Sequence, residues 1–232
     1  VNGEWATDQA YMDVLSKNEI WDYSRRNAAF LGEQGLKAEF FTFGYVPEMT
    51  RLRENPDESI DVLFYGGINE RRFKVIDGLR RSGINVVCLN DAYGLARDQA
   101  IYDAKMILNV HVNLGANLEM VRLGYLMANR KAVVSEFNPD TERYEGLDNA
   151  CAFYVYDDLA EGARQLLADD ERRKRQAGLG REAFPLLSLE DPLGRVVGPH
   201  PTFKAGQSNP QPRPPSLVTH TSQDCTPSLS HI

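Results

Sequence analysis

Cysteine, histidine, basic charge and long apolar runs are all scarce in this sequence, and each scarcity excludes something. The three cysteines, Cys88, Cys151 and Cys225, stand far apart with no CxxC pair, so their spacing points to neither a zinc site nor a disulfide framework. Cys88 and Cys151 sit in or beside apolar runs and read as small core residues, a usage that fits a reducing cytoplasm. No apolar run approaches the roughly 18 residues of a membrane-spanning helix. Basic residues number 26 against 33 acidic, a net charge of −7, which argues against sequence-independent binding to nucleic acid, where cationic surface supplies most of the affinity. GxGxxG, GxxxxGK[ST] and GxSxG are missing, so dinucleotide oxidoreductase, P-loop and serine-hydrolase readings lose their usual signals. There is no Asp-x-Asp pair to hold a divalent ion against a sugar diphosphate, and one histidine outside the C-terminal stretch makes a transition-metal site unexpected. The first residue is Val1, with no basic-then-apolar leader after it, and the chain is expected to be a fragment.

Proline is rare before residue 185 and abundant after it. Nine of the twelve prolines and three of the four histidines fall in 185–232, which has no Tyr or Trp and one Phe. Such a stretch lacks the apolar surface to offset the entropy of ordering, and 185–232 is expected to be a disordered tail. The rest of the chain has the 42% hydrophobic content of a globular protein and is organised by alternation. Residues 61–67, 85–90, 106–112, 131–137 and 152–156 are short β-branched-rich runs that read as strands buried on both faces. Ile68, Val75, Ile76 and Leu79 recur at helical spacing before Gly83. Asn117 and Asp157 are expected to cap two further helices. Repeated β-α units imply parallel strands, giving an α/β, Rossmann-like, doubly wound sheet over 61–184. Residues 1–47 carry two more strands around a helix over 25–34, too few for a domain, and 48–60 reads as a linker.

In open parallel sheets ligands bind beyond the carboxyl ends of the strands. At the first such end, Gly66 and Gly67 permit close backbone approach ahead of a helix N-terminus, with Asn69 and Arg71 as donors for a phosphate. At the third, Asn109, His111 and Asn113 alternate onto one face if the strand runs to 112. His111 is the one imidazole available for acid–base chemistry in the folded part. Glu119 and Arg122 lie three apart on a helix, spaced for a surface ion pair, or for ribose hydroxyls and a diphosphate respectively.

Taken together, 61–72, 104–111 and 117–136, with Trp21-Asp22-Tyr23-Ser24 and Gly44-Tyr45-Val46-Pro47, resemble the C-terminal half of GT-B glycosyltransferases. The branch they resemble most is the bacterial CgeB-like, spore-maturation-type one, over about residues 4–184. The resemblance implies a two-Rossmann-domain enzyme moving a sugar from a nucleotide-sugar donor to an unknown acceptor, without an essential metal or other cofactor. This chain would supply the donor-binding half, with 1–47 as the remnant of the acceptor domain. Carried over, Gly66 and Gly67 would face the diphosphate, Asn69 and Arg71 its oxygens, and His111 the donor sugar or pyrophosphate. Glu119 would take the ribose and Arg122 the phosphates, with Ser135 and Glu136 at the next strand end. The two glutamates with seven residues between them that many retaining members carry are not reproduced, since Asn117 and Tyr125 hold those positions. A reading from another class is a non-catalytic Rossmann-like nucleotide-binding or protein-interaction module whose Pro-rich tail docks a partner.

Overall fold

A computed structural model describes residues 8–114, 117–137, 144 and 146–197. After α1 (Gln9–Leu15), the strands β1 (Ile20–Asp22) and β2 (Ala38–Phe40) pair in parallel around α2 (Arg25–Glu33). The main sheet follows: β3 (Ile60–Tyr65), α3 (Glu70–Arg81), β4 (Val86–Leu89), α4 (Gly94–Asp103), β5 (Ala104–Asn109), α5 (Met120–Ala128), β6 (Ala132–Glu136) and β7 (Ala152–Tyr154). The helices α6 (Leu159–Ala168), α7 (Asp170–Ala183) and α8 (Glu190–Val197) close the described chain. The five strands run in the order β4-β3-β5-β6-β7, every pair parallel. The expected α/β fold with a parallel sheet is what forms. Among the described residues no helix is long and apolar enough to cross a membrane.

Strand alternation builds two cores. Leu63, Ile107 and Val133 point to one face and pack with Ile101, Leu123, Leu126 and Met127 from α4 and α5. Val62, Phe64, Met106, Leu108 and Val134 point to the other, against Val75, Ile76 and Leu79 of α3 and Leu159, Ala163 and Leu166 of α6. Both faces are therefore covered, which is why the strand sequences read as continuous apolar runs. Local chemistry sets the ends of α3: the Asn69 side chain accepts from the Arg72 N–H at 3.0 Å, and Gly83 beyond the helix takes φ +81°.

Several sequence expectations need correction. β5 ends at Asn109, so His111 and Asn113 lie beyond the strand and the alternation argument does not reach them. Glu119 rather than Asn117 precedes α5, and Asp158 rather than Asp157 precedes α6, after a 3₁₀ turn over Tyr156–Asp158. α4 has no counterpart in the sequence reading: its buried residues Asp98, Gln99, Ala100 and Ile101 are consecutive and half polar, so no apolar stripe announces it.

The tail expected from 185 keeps regular structure to Val197; 198–232 lies outside the described residues. Phe184 is buried and meets the Tyr45 ring edge-on at 6.0 Å. The Tyr45 N–H donates to the Leu187 carbonyl at 2.6 Å, and the Leu189 N–H to the Tyr45 carbonyl at 3.2 Å. Apolar contact and backbone pairing anchor this segment, and proline counts register neither. The 48–60 stretch is likewise pinned. The buried Asn129 amide, just after α5, accepts from the Arg51 and Leu52 N–H groups at 2.7 Å each and donates to the Met49 carbonyl at 2.8 Å.

Candidate functional site

The sheet order itself locates a site. From β3 the chain moves to β4 on one side, then crosses to β5 on the other, so the topological switch lies between β3 and β5, where their carboxyl ends part. A cleft of about 440 Å³ opens there, within the usual size range for small-molecule sites. Its walls include Gly66 and Gly67 after β3, Asn90 to Tyr93 after β4, Arg97 and the first turn of α5 from Glu119 to Arg122. Tyr23, Tyr65 and Tyr125 complete it.

Arg122 and Glu119 are held by a buried amide. The Arg122 Nη1 donates to Asn109 Oδ1 at 2.7 Å, while Asn109 Nδ2 donates to Glu119 Oε2 at 2.8 Å and to Ser135 Oγ at 3.0 Å. The Arg122 guanidinium also lies 4.8 Å from the centre of the Tyr65 ring. Gly66 sits beside it at φ +124°, a backbone angle that favours glycine, and a Cβ there would come within 3.2 Å of Arg122 Nη2 and crowd the guanidinium. Burial drives the Tyr65 phenol up, against the pull of Arg122 and Arg97, to a pKa of about 12. Arg97 stacks over Tyr125 at 5.0 Å and donates to Asp98 at 3.2 Å.

His111 is fully buried and makes side-chain contact with Glu119, its Nδ1 lying 3.0 and 3.1 Å from the two carboxylate oxygens. A carboxylate only accepts, so Nδ1 carries the proton. That leaves Nε2 buried without a hydrogen-bond partner among the described residues. The imidazole does not itself line the cleft and touches a lining residue at Glu119. Burial tends to raise the Glu119 pKa, but the bonds from His111 and Asn109 and the nearby Arg122 outweigh it and hold the carboxyl below its ordinary value.

The structure brings Gly66, Gly67, Glu119 and Arg122 to one cleft and gives other candidates internal partners. Asn69 caps α3 and donates to the Val112 carbonyl at 2.8 Å. Arg71 forms a two-pronged ion pair with the buried Glu136, donates to the His111 carbonyl at 3.0 Å, and stacks on Tyr156 at 3.9 Å. Glu136 also accepts from the His111 N–H at 2.9 Å. Ser135 lies buried behind Asn109, and Asn113 is exposed beyond His111, outside the residues lining the cleft. Sequence reasoning missed Arg97, Tyr65 and Tyr93, which depend on α4 and on aromatic rings at strand ends. Arg72 is also part of the frame: its side chain is buried, donating to the Val110 carbonyl at 2.9 Å and the Gly67 carbonyl at 2.8 Å. A second hollow of about 190 Å³ lies among Leu118, Leu123, Met127, Leu147 and Phe153, and among the described residues no cation lines it.

No family model matches the chain. The uncharacterized protein L137 of Acanthamoeba polyphaga mimivirus is 26% identical over 174 residues, which is 68% of this chain and 23% of that protein. Among solved structures, sucrose-phosphate synthase of Thermosynechococcus elongatus gives a TM-score of 0.51 at 12% identity, covering 85% of this chain and 62% of that one. The apo structure of OtsA gives 0.46 at 11% identity over 70% and 51%. The chain therefore spans less than two thirds of each of these three proteins. What the likeness to sucrose-phosphate synthase shows is architecture: this chain has an α/β, Rossmann-like fold of the kind found there, and the GT-B resemblance is supported to that extent.

Proposed function

We propose that this chain is the donor-binding half of a metal-independent, cytoplasmic glycosyltransferase of the GT-B kind, in its CgeB-like branch, and that its ligand is a nucleoside-diphosphate sugar. The observation that carries the reading is the meeting, at the β3/β5 switch point, of a glycine turn, two guanidinium groups and a carboxylate in one cleft. The diphosphate would lie against Gly66 and Gly67, where no side chain blocks the backbone, with Arg122 and Arg97 supplying positive charge. Glu119, oriented by His111 and Asn109, keeps lone pairs for ribose hydroxyls. Catalysis would come from positioning the donor and from cationic stabilisation of the departing nucleoside diphosphate. In this assignment His111 is a positioning residue, whereas Arg71, Asn69, Ser135 and Glu136 build the frame.

Isothermal titration calorimetry with UDP, GDP and their sugar conjugates tests the reading. Measurable binding that weakens about tenfold or more in Arg122→Ala and in Glu119→Ala supports it, each substitution removing a charge-assisted contact. Absence of binding to any of them, or binding indifferent to both substitutions, would favour the protein-interaction module.

A further inference from the structure

Asn109 is the last residue of β5, has no solvent exposure, and contacts both Glu119 and Arg122. Its amide has only one workable orientation. Arg122 can only donate and the Glu119 carboxylate can only accept, so Oδ1 must face the former and Nδ2 the latter, as the 2.7 and 2.8 Å contacts show. Ser135 Oγ takes the second Nδ2 proton at 3.0 Å and itself donates to the Glu136 carbonyl at 3.1 Å, so the amide cannot flip without stranding several groups.

The arrangement is notable for the contact it prevents. Glu119 and Arg122 are three residues apart at the start of α5, a spacing at which opposite charges ordinarily pair. Between these two described residues no direct ion pair forms; each instead bonds to one end of the same amide. Arg122 consequently keeps its Nη2 beside Gly66, where a Cβ would be only 3.2 Å away, and Glu119 stays with His111.

We infer that Asn109 is a positioning residue that acts as a spacer, keeping Glu119 and Arg122 from neutralising one another so that Arg122 faces an anionic ligand at the Gly66-Gly67 turn. This deepens the proposed function and rests on it for the identity of the anion. The spacer itself can be tested without any ligand. An apolar side chain of similar volume at 109 removes both bonds and lets the carboxylate capture the guanidinium.

Two measurements separate the spacer from the donor-site reading. The first is a crystal structure of ligand-free Asn109→Leu, with Asn109→Ser as a second variant should the first fail to fold. A direct Glu119–Arg122 ion pair, with N···O within about 4 Å, is expected; side chains that stay apart overturn the spacer. The second is calorimetry with inorganic pyrophosphate, which needs Arg122 but makes no ribose contact. Asn109→Leu should weaken its binding about tenfold or more. Adding Glu119→Gln to Asn109→Leu should restore most of the loss, because a neutral amide, even when it accepts a bond from Arg122, does not cancel the guanidinium charge. A merely structural role predicts no such rescue, and its absence overturns the proposal. If the unsubstituted protein binds neither pyrophosphate, UDP nor GDP, the donor-site reading fails while the crystallographic test of the spacer still stands.

Discussion

Arg71 and Glu136 show how residues chosen for their charge can be consumed by the fold. Glu136 is 2% exposed in its side chain and Arg71 16%, so removing one partner strands the other charge with little solvent. Glu136→Ala should cost about 3–5 kcal/mol in urea denaturation, whereas the joint replacement Arg71→Met with Glu136→Leu should recover most of that loss. Glu119 makes a different prediction, through pH. Its folded-state pKa is lowered from the ordinary 4.5, so its ionisation adds stability that is fully present above about 4.5 and is lost as pH falls through the lower folded value. Denaturation curves at pH 7 and across that acid window should show this component in the native protein and its absence in Glu119→Gln. The sequence reveals Gly66, Gly67, Glu119 and Arg122 as candidates because they follow the ends of buried strands. It cannot separate them from Asn69, Arg71, Ser135 and Glu136, because the donors and acceptors that suit a phosphate or a ribose also suit a helix cap or an internal ion pair.

Elements were legible where their periodicity was pure. The five main strands stand out as apolar runs because helices cover both faces, and α3 because Val75, Ile76 and Leu79 recur at helical spacing ahead of Gly83. α4 stays hidden because Asp98 and Gln99 are buried among polar partners rather than along a stripe, and the site loses Arg97 with it. Close packing also depends on glycines whose role no local pattern shows. A Cβ at Gly44 would lie 2.5 Å from backbone atoms of Leu187, Ser188 and Leu189, and one at Gly124 would lie 2.5 Å from the Phe184 ring. Gly44→Ala should destabilise by about 1–3 kcal/mol or more in denaturant unfolding, the usual cost of overpacking, since backbone cannot step aside. Gly124→Ala should cost less if the Phe184 ring can tilt, and the comparison of the two measures how rigidly the 184–189 segment is held.

At the scale of the whole molecule, the strand order that names the switch point also explains why the cleft draws on residues more than ninety positions apart. Tyr23, Tyr65 and Arg122 meet only after the crossovers are complete, so single-residue patterns could not have assembled them. The 184–197 segment has the same long-range character. Ending the chain after Ala183 removes Phe184 from the core and Leu187 from its pairing with Tyr45. The shortened chain should lose about 3–5 kcal/mol, read as a lower midpoint in thermal or urea unfolding, whereas ending it after Val197 should leave these contacts in place. α5 spans about 13 Å at 1.5 Å per residue, with Arg122 at one end and the Asn129 clasp on residues 49–52 just past the other. The helix is thus a short rod between residues 49–52 and the cleft. Asn129→Ala would therefore unfasten residues 49–52 from one end of a rod whose other end forms a wall of the cleft.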